Sequence, residues 1–453
     1  MPPPLASIPV PDHLLEEILL RVSAPDDLAR ACAACTSFRR VIKGRAFRRR
    51  FRALHRPPLL GFMDAGGFHP AQAPHPSAPL ASALAPRAAD FSFVPAVVSS
   101  SSYFMPPGVQ DDEEGPRWRP CDVRDGRDWR SIYPRSVHMW TYRQDGCQVS
   151  ILKDSREMGD NELCDRLTWT KRERCNAADF HLAVCDPLSS RYLLLPTIPE
   201  DLAAQPQECL SEFEAVLDPN TSDDYGDQQP FRFKFKFKVI CIARYTTKLV
   251  LFVLPSTTMQ WSMLESPISP SIQHMSCSDC ARGCFYWTQP SGWSDHLMVL
   301  DARTLRFSTV DLLTGYHLEL SHLPDKSFGH RGLNAVVMGR EGTLDMFSRV
   351  SQHGSFTIHH TSLKNNSQQW KLENIIQLPG QYHSICTMGA AEGFFFFRGA
   401  PEGGIHFDNV DCYSMEVKTY EITKVCTKMG NTYNPRHALP YFSFPPLLSE
   451  PTI

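Results

Sequence analysis

Cysteines and histidines come first, because their types and spacing are what metal binding and catalysis use. Cys277-x-x-Cys280-x-x-x-Cys284, with His274 nearby, opens with the spacing of a zinc knuckle. A structural zinc site wants four nitrogen or sulfur ligands, and no second knuckle follows closely. Cys280 and Cys284 instead flank a turn into the aromatic run Phe285-Tyr286-Trp287, where small apolar residues are expected. Cys32-x-x-Cys35 falls one helical turn apart on an apolar face and reads as core. His359-His360 reads as one inward and one outward residue of a strand. No nucleophile elbow, phosphate-binding glycine loop or carboxylate pair stands out. No catalytic residue, metal or other cofactor is therefore expected.

Two runs carry concentrated charge. Arg39, Arg40, Lys43, Arg45, Arg48, Arg49, Arg50, Arg52 and Arg56 have the density of a nuclear-import or nucleic-acid patch. Phe38, Val41, Ile42, Phe47 and Phe51 are interleaved with them, which favours the solvated side of amphipathic helices over nucleic-acid readout. Phe231 to Lys238 alternates phenylalanine with Arg or Lys, so a strand there has one aromatic and one cationic face. An acidic-substrate strip is one reading. A sheet strand kept soluble at its edge by lysines is the favoured one.

The arginine run belongs to a helical module over residues 8–55. In Pro11 to Val22, apolar residues at 14, 15, 18, 19 and 22 follow helical spacing, with Glu16, Glu17 and Arg21 on the other side. Pro11 suits the first turn of a helix and Asp12 complements the positive end of its dipole. Ser23-Ala24-Pro25-Asp26-Asp27 repeats the start signal before Leu28, Ala31 and Cys32. Roughly 45 residues bury too little surface for comfort, so the module is expected to complete its core against something else.

Val10-Pro11-Asp12-His13-Leu14-Leu15-Glu16-Glu17-Ile18-Leu19 resembles the opening of an F-box, Cys35-Thr36-Ser37-Phe38-Arg39 its Cys-x-x-Trp segment, and Ala46-Phe47 its closing helix. Val10 stands for the usual Leu, Phe38 for the usual Trp, and Gly44-Arg45 for a common Asp-Pro. The resemblance implies docking onto a Skp-type adaptor of a cullin–RING ubiquitin ligase. Pro11, Leu14, Leu15, Ile18, Leu19, Leu28, Cys35 and Phe38 are the expected contacts or their immediate support.

Residues 57–448 read as a second, β-rich domain. A Pro-, Ala- and Ser-rich stretch over 69–89 is expected to be a flexible loop. From about Ala177 short apolar runs alternate with turn residues. Five polar turns recur, each followed by an aromatic that opens the returning strand: Tyr192, Trp261, Phe307, Trp370 and Tyr420. Their intervals approach the roughly 40–50 residues of a four-stranded propeller blade, stretched by insertions. Residues 57–127 hold strand material for a sixth blade. Residues 128–178 are polar and weakly periodic, and read as an insertion. Ala183-Val184-Cys185-Asp186-Pro187-Leu188-Ser189-Ser190-Arg191-Tyr192-Leu193-Leu194-Leu195-Pro196, with Gly283–Trp287 and Val299-Leu300-Asp301, resembles the F-box-associated domain found in plant proteins. That resemblance implies a kelch- or WD-like β-propeller; a stack of β-sandwiches is the competing fold.

The fold class expected is α+β multidomain: a small helical F-box, then an all-β propeller-like domain of six blades. The function expected is substrate recognition in a Skp–cullin–F-box ligase, the β domain binding an unidentified target protein without catalysis by this chain. An interaction scaffold outside any ligase, and a propeller enzyme with a helical appendage, are the alternatives. Composition fits these. The 453 residues have a net charge of −3 and 42% apolar residues, which supports a sizeable core and argues against a protein built wholly for nucleic acid. Apolar runs are strand-sized, so no membrane span is expected. Fifteen scattered cysteines and a Pro-rich opening, Met1-Pro2-Pro3-Pro4, point to reduced thiols in the cytoplasm, the nucleus or both.

Overall fold

The computed structural model describes residues 10–89, 119–150, 177–218, 237–266, 279–287, 296–321, 335–401, 409–429 and 438–448, apart from brief breaks inside these stretches. It opens with four helices, α1 (Asp12–Leu19), α2 (Pro25–Ala34), α3 (Thr36–Ile42) and α4 (Arg45–Leu54). Leu19, Leu20, Leu28, Cys32, Ile42, Phe47 and Phe51 form their core. Phe444 and Leu448, which follow the last strand of the β domain, lie in the same cluster, so the module completes its core within its own chain. The pairing expected for Cys32 and Cys35 on one helix does not hold. Helix α2 stops at Ala34, and Cys35 takes up extended backbone as the N-cap of α3. Thr36 and Ser37, which follow, favour caps and turns over continued helix.

The β domain is a ring of sheets. Strands β1 (Leu59–Asp64) and β2 (Gly67–Pro70) precede helix α5 (Ala78–Ala89). The first blade comprises β3 (Arg119–Arg124), β4 (Arg127–Ile132), β7 (His181–Asp186) and β8 (Arg191–Leu194); the hairpin β5 (Thr141–Gln144) and β6 (Cys147–Ser150) intervenes as a two-stranded sheet of its own. After the short α6 (Glu200–Ala203) comes the second blade, β9 (Leu210–Leu217), β10 (Lys238–Tyr245), β11 (Leu249–Pro255) and β12 (Ser262–Glu265). The third is β13 (Asp279–Ala281), β14 (Cys284–Trp287), β15 (His296–Asp301) and β16 (Arg306–Asp311), followed by α7 (Tyr316–Ser321). The fourth is β17 (Ala335–Met338), β18 (Leu344–Gln352), β19 (Ser355–Leu363) and β20 (Lys371–Gln377). The fifth is β21 (Tyr382–Ala391), β22 (Phe394–Pro401), β23 (Asn409–Glu416) and β24 (Ile422–Met429). Strand β25 (Leu439–Phe442) then returns to pair with β1.

Five four-stranded blades are thus present among the described residues, not the six expected. The strand material of 57–127 divides instead. Strands β1 and β2 join β25 in a three-stranded sheet, while β3 enters the first blade. Gly61 permits that joint: at φ 146° it opposes both Pro70 and Tyr441, and a Cβ there would come within 2.1 Å of the His69 carbonyl oxygen. Consecutive first strands pack on one another, β3 on β9, β13 on β17 and β17 on β21. Asp279, buried in β13, accepts the backbone N–H of Val336 in β17 at 2.9 Å and of Ala390 in β21 at 3.2 Å. One carboxylate therefore ties three blades where their first strands converge.

The recurrent turns are the hairpins between third and fourth strands. In each of three copies one residue takes positive φ: Ser190, Met259 and Leu305, two positions before Tyr192, Trp261 and Phe307. The fifth copy is shifted. Tyr420 itself holds the positive φ and its N–H donates to Glu416, as Leu305 donates to Asp301, so Ile422 takes the place expected for the aromatic.

Residues 69–89 are not a flexible loop. The alanines that make the stretch look low in complexity are strong helix formers, and α5 buries Ala81, Leu84 and Ala88 in the cluster of β1, β2 and Leu188. The insertion expected over 128–178 also starts later. Asp128 to Ile132 pairs with Cys185 to His181, so these residues belong to the first blade.

Candidate functional site

Helix α1 presents two apolar stripes. Leu15 and Leu19 point into the core, with Leu20 just beyond them. Leu14 is 48% exposed and Ile18 58% exposed, and Val10, which precedes the helix, is 47% exposed. Residues spaced by four lie one above another on a helix, so Leu14 and Ile18 form a row toward solvent, with Val10 exposed just before the helix begins. Large apolar side chains in a contiguous exposed row are a mark of an interaction surface.

The eight expected contact residues divide by burial. Pro11, Leu14 and Ile18 are at the surface; Leu15, Leu19 and Leu28 are buried; Cys35 and Phe38 are half-buried, Phe38 packing against the core. Val10 is an exposed apolar residue outside that expected set, and because it precedes the helix its spacing from Leu14 gave no signal. At the N-cap of α3 the Cys35 thiol is drawn below its ordinary pKa, chiefly by the backbone N–H of Phe38 and then that of Ser37.

Charge holds the frame around the stripe. Arg50 on α4 reaches Glu16 at 2.8 Å and Glu17 at 2.6 Å, and Arg40 on α3 reaches Asp12 at 2.7 Å. Such exposed pairs add little to stability. Their geometric effect is to turn the polar side of α1 toward α3 and α4, leaving Leu14 and Ile18 outward. Part of the arginine run thus pairs with acids of its own module.

The other candidates resolve differently. His359 and His360 are both buried, against the expectation of one outward residue, because neighbouring elements cover both faces of the fourth blade. The Tyr316 hydroxyl on α7 lies 3.0 Å from His359 Nδ1; His360 lies between the Tyr420 hydroxyl at 2.8 Å and Asp345 at 2.9 Å. Burial lowers the His359 pKa, which disfavours the charged imidazolium. Cys280 and Cys284 sit in facing strands β13 and β14, while Cys277 and His274 lie outside the described residues. Burial raises the Cys284 pKa, which works against the thiolate a metal needs. Among the described residues no cluster of three or more His, Cys, Asp or Glu is placed to hold a metal ion. Of the alternating run only Phe237 and Lys238 are described: Phe237 is buried, and Lys238 bridges Asp218 at 2.5 Å and the Ala302 carbonyl at 2.8 Å. No helix among the described residues is long and apolar enough to cross a membrane.

The chain is therefore a helical module with an exposed apolar stripe, joined to a ring of four-stranded sheets. The F-box domain model matches residues 10–50, so the chain carries an F-box domain followed by a β-propeller-like domain. No curated protein matches the chain. Among solved structures it aligns with TolB from Acinetobacter baumannii at 9% identity, over 56% of this chain and 51% of that one, with a TM-score of 0.32. It also aligns with a Lactobacillus plantarum protein at 11% identity, over 57% and 67%, with a TM-score of 0.27. A GH43_1 enzyme from Xanthomonas citri aligns at 9% identity, over 75% and 92%, with a TM-score of 0.27. This chain spans about half the length of that TolB. At such TM-scores the likeness says nothing of activity.

Proposed function

We propose that this chain is a substrate receptor of a Skp–cullin–F-box ubiquitin ligase, with a propeller of the kelch or WD-like kind found in plant F-box proteins. Val10, Leu14 and Ile18 dock the Skp-type adaptor, and the adaptor brings the cullin. The β domain holds a target protein so that a separately bound conjugating enzyme reaches its lysines. Catalysis then comes from proximity, supplied by rigid positioning rather than by side chains of this chain. On this reading the protein works in the cytoplasm, the nucleus or both, where its cysteines stay reduced. The observation that carries the proposal is the pair Leu14 and Ile18, left outward one helical turn apart on α1 while Leu15 and Leu19 of the same helix are buried.

Replacing Leu14 and Ile18 by Asp tests it. Two charges in an apolar interface should weaken adaptor capture by roughly a hundredfold. The melting temperature should hold, because both residues are solvent-facing in the free chain. Undiminished co-purification of a Skp-type adaptor with the double variant overturns the proposal.

A further inference from the structure

The two crossings between the helical module and the propeller run side by side. Helix α4 leads through Pro57 and Pro58 into β1, and β25, paired with β1, leads back through Ser443 to the module. The Ser443 N–H donates to the Pro58 carbonyl at 3.2 Å, pinning the returning segment to the outgoing one. Phe444 then meets Phe51 edge-on at 5.9 Å between ring centroids. The Leu448 N–H donates to the Pro445 carbonyl at 2.8 Å, closing a turn that returns Leu448 to the same cluster. Leu448 is fully buried, Phe444 nearly so, and Leu447 packs against them. The segment thus supplies two of the buried side chains of the cluster that Leu20, Leu28, Ile42 and Phe51 form.

We infer that Phe444–Leu448 is a strap that folds the F-box module and locks it to the propeller, so that adaptor docking depends on residues distant from the adaptor surface. A module of about 45 residues is marginal by itself, and two large buried side chains are a substantial share of its core. The strap also removes a hinge. With both crossings fixed, the stripe on α1 keeps one orientation relative to the blades, and a held target keeps one distance from the ligase. The part of the inference that concerns adaptor affinity rests on the function proposed above; the part that concerns folding does not.

The experiment compares three forms of the full chain by hydrogen exchange and by titration with a purified Skp-type adaptor. Phe444→Asp with Leu448→Asp disrupts the strap strongly, Phe444→Ala with Leu448→Ala mildly, and Leu14→Asp with Ile18→Asp changes only the docking stripe. In the strap variants, amides of α2, α3 and α4 should exchange about tenfold faster or more, while those of β22 keep their protection. If the module is then folded about a tenth of the time, adaptor affinity falls about tenfold. The stripe variant should keep full protection and lose the adaptor. Should the aspartate pair fail to fold, the alanine pair decides. Unchanged protection of α2–α4 in the strap variants overturns the inference, whatever the adaptor does. Loss of β22 protection in the alanine pair overturns it too, since the segment would then support the whole fold. Adaptor binding that survives in the stripe variant sinks the receptor reading and leaves the strap standing.

Discussion

Asp64 at the end of β1 meets two side chains from different parts of the chain: His69 Nε2 at 2.9 Å from the next strand, and the nearly buried Lys428 ammonium from β24 of the fifth blade. Burial alone would raise its pKa, but hydrogen bonds from His69 and Lys428 outweigh it and hold the carboxyl well below the usual carboxylate range. A depressed folded pKa contributes stability that is whole above the unfolded value of about 3.9 and is lost as pH falls below it. Asp64→Asn, which strands the Lys428 charge, should cost roughly 3–5 kcal/mol near neutral pH. That gap should shrink as urea unfolding is repeated toward about pH 3; a gap independent of pH refutes it. The repeated aromatics also separate at this scale. Trp370 is 1% exposed with its indole N–H donating to the Asp311 carbonyl at 3.0 Å, whereas Trp261 is half-buried and donates to the Pro196 carbonyl at 2.9 Å. Trp370→Ala should cost roughly 3–5 kcal/mol in denaturant unfolding and Trp261→Ala clearly less. Equal losses would show that the turn, not burial, sets the cost. Leu14 and Leu15 were not separable in the sequence as surface and core: helical spacing puts both on one broad apolar face, and the family resemblance set both among the contacts or their support, whereas Leu14 is exposed and Leu15 buried.

Elements were legible where one period dominated. The helices of the module follow the spacing of Leu15, Leu19, Leu28, Phe47 and Phe51, and the blade hairpins follow their turns. Helix α5 was not, because Pro, Ala and Ser are equally the composition of an unfolded linker and of a helix packed through small residues. Only its position against β1 and β2 decides between them. Leu84, nearly buried, and Ser82, exposed, give a direct check. Leu84→Ala should lower stability by about 2 kcal/mol or more, and Ser82→Ala should stay within about 0.5 kcal/mol of the parent. Indistinguishable melting curves for the two would return 78–89 to a loop. The shift of the fifth turn by two residues has a similar origin: an aromatic marks the turn, but which residue takes positive φ depends on how Glu416 and Tyr420 close it.

At the scale of the whole molecule, the contacts that join distant parts of the chain were illegible. Pairing of β25 with β1, and of Phe444 with Phe51, leaves no local periodicity to read. The same blindness moved the edge of the insertion. Strands β4 and β7 are antiparallel neighbours with Ile132 opposite His181, a join that a hairpin makes in about two to five residues. Here residues 133–180 intervene, and among the described residues the hairpin β5–β6 within them forms a two-stranded sheet of its own. Ala177 and Phe180 are buried in the cluster of the first two blades, so the removable part ends before them. Replacing 134–176 by a short Gly/Ser linker should give a soluble chain with one cooperative melt and undiminished adaptor binding. A cut that reached back to Arg130 or forward to Ala177 should cost stability, since it would take β4 residues or core with it. If the 134–176 deletion itself aggregates or melts without cooperativity, the segment is part of the first blade's support and not an insertion.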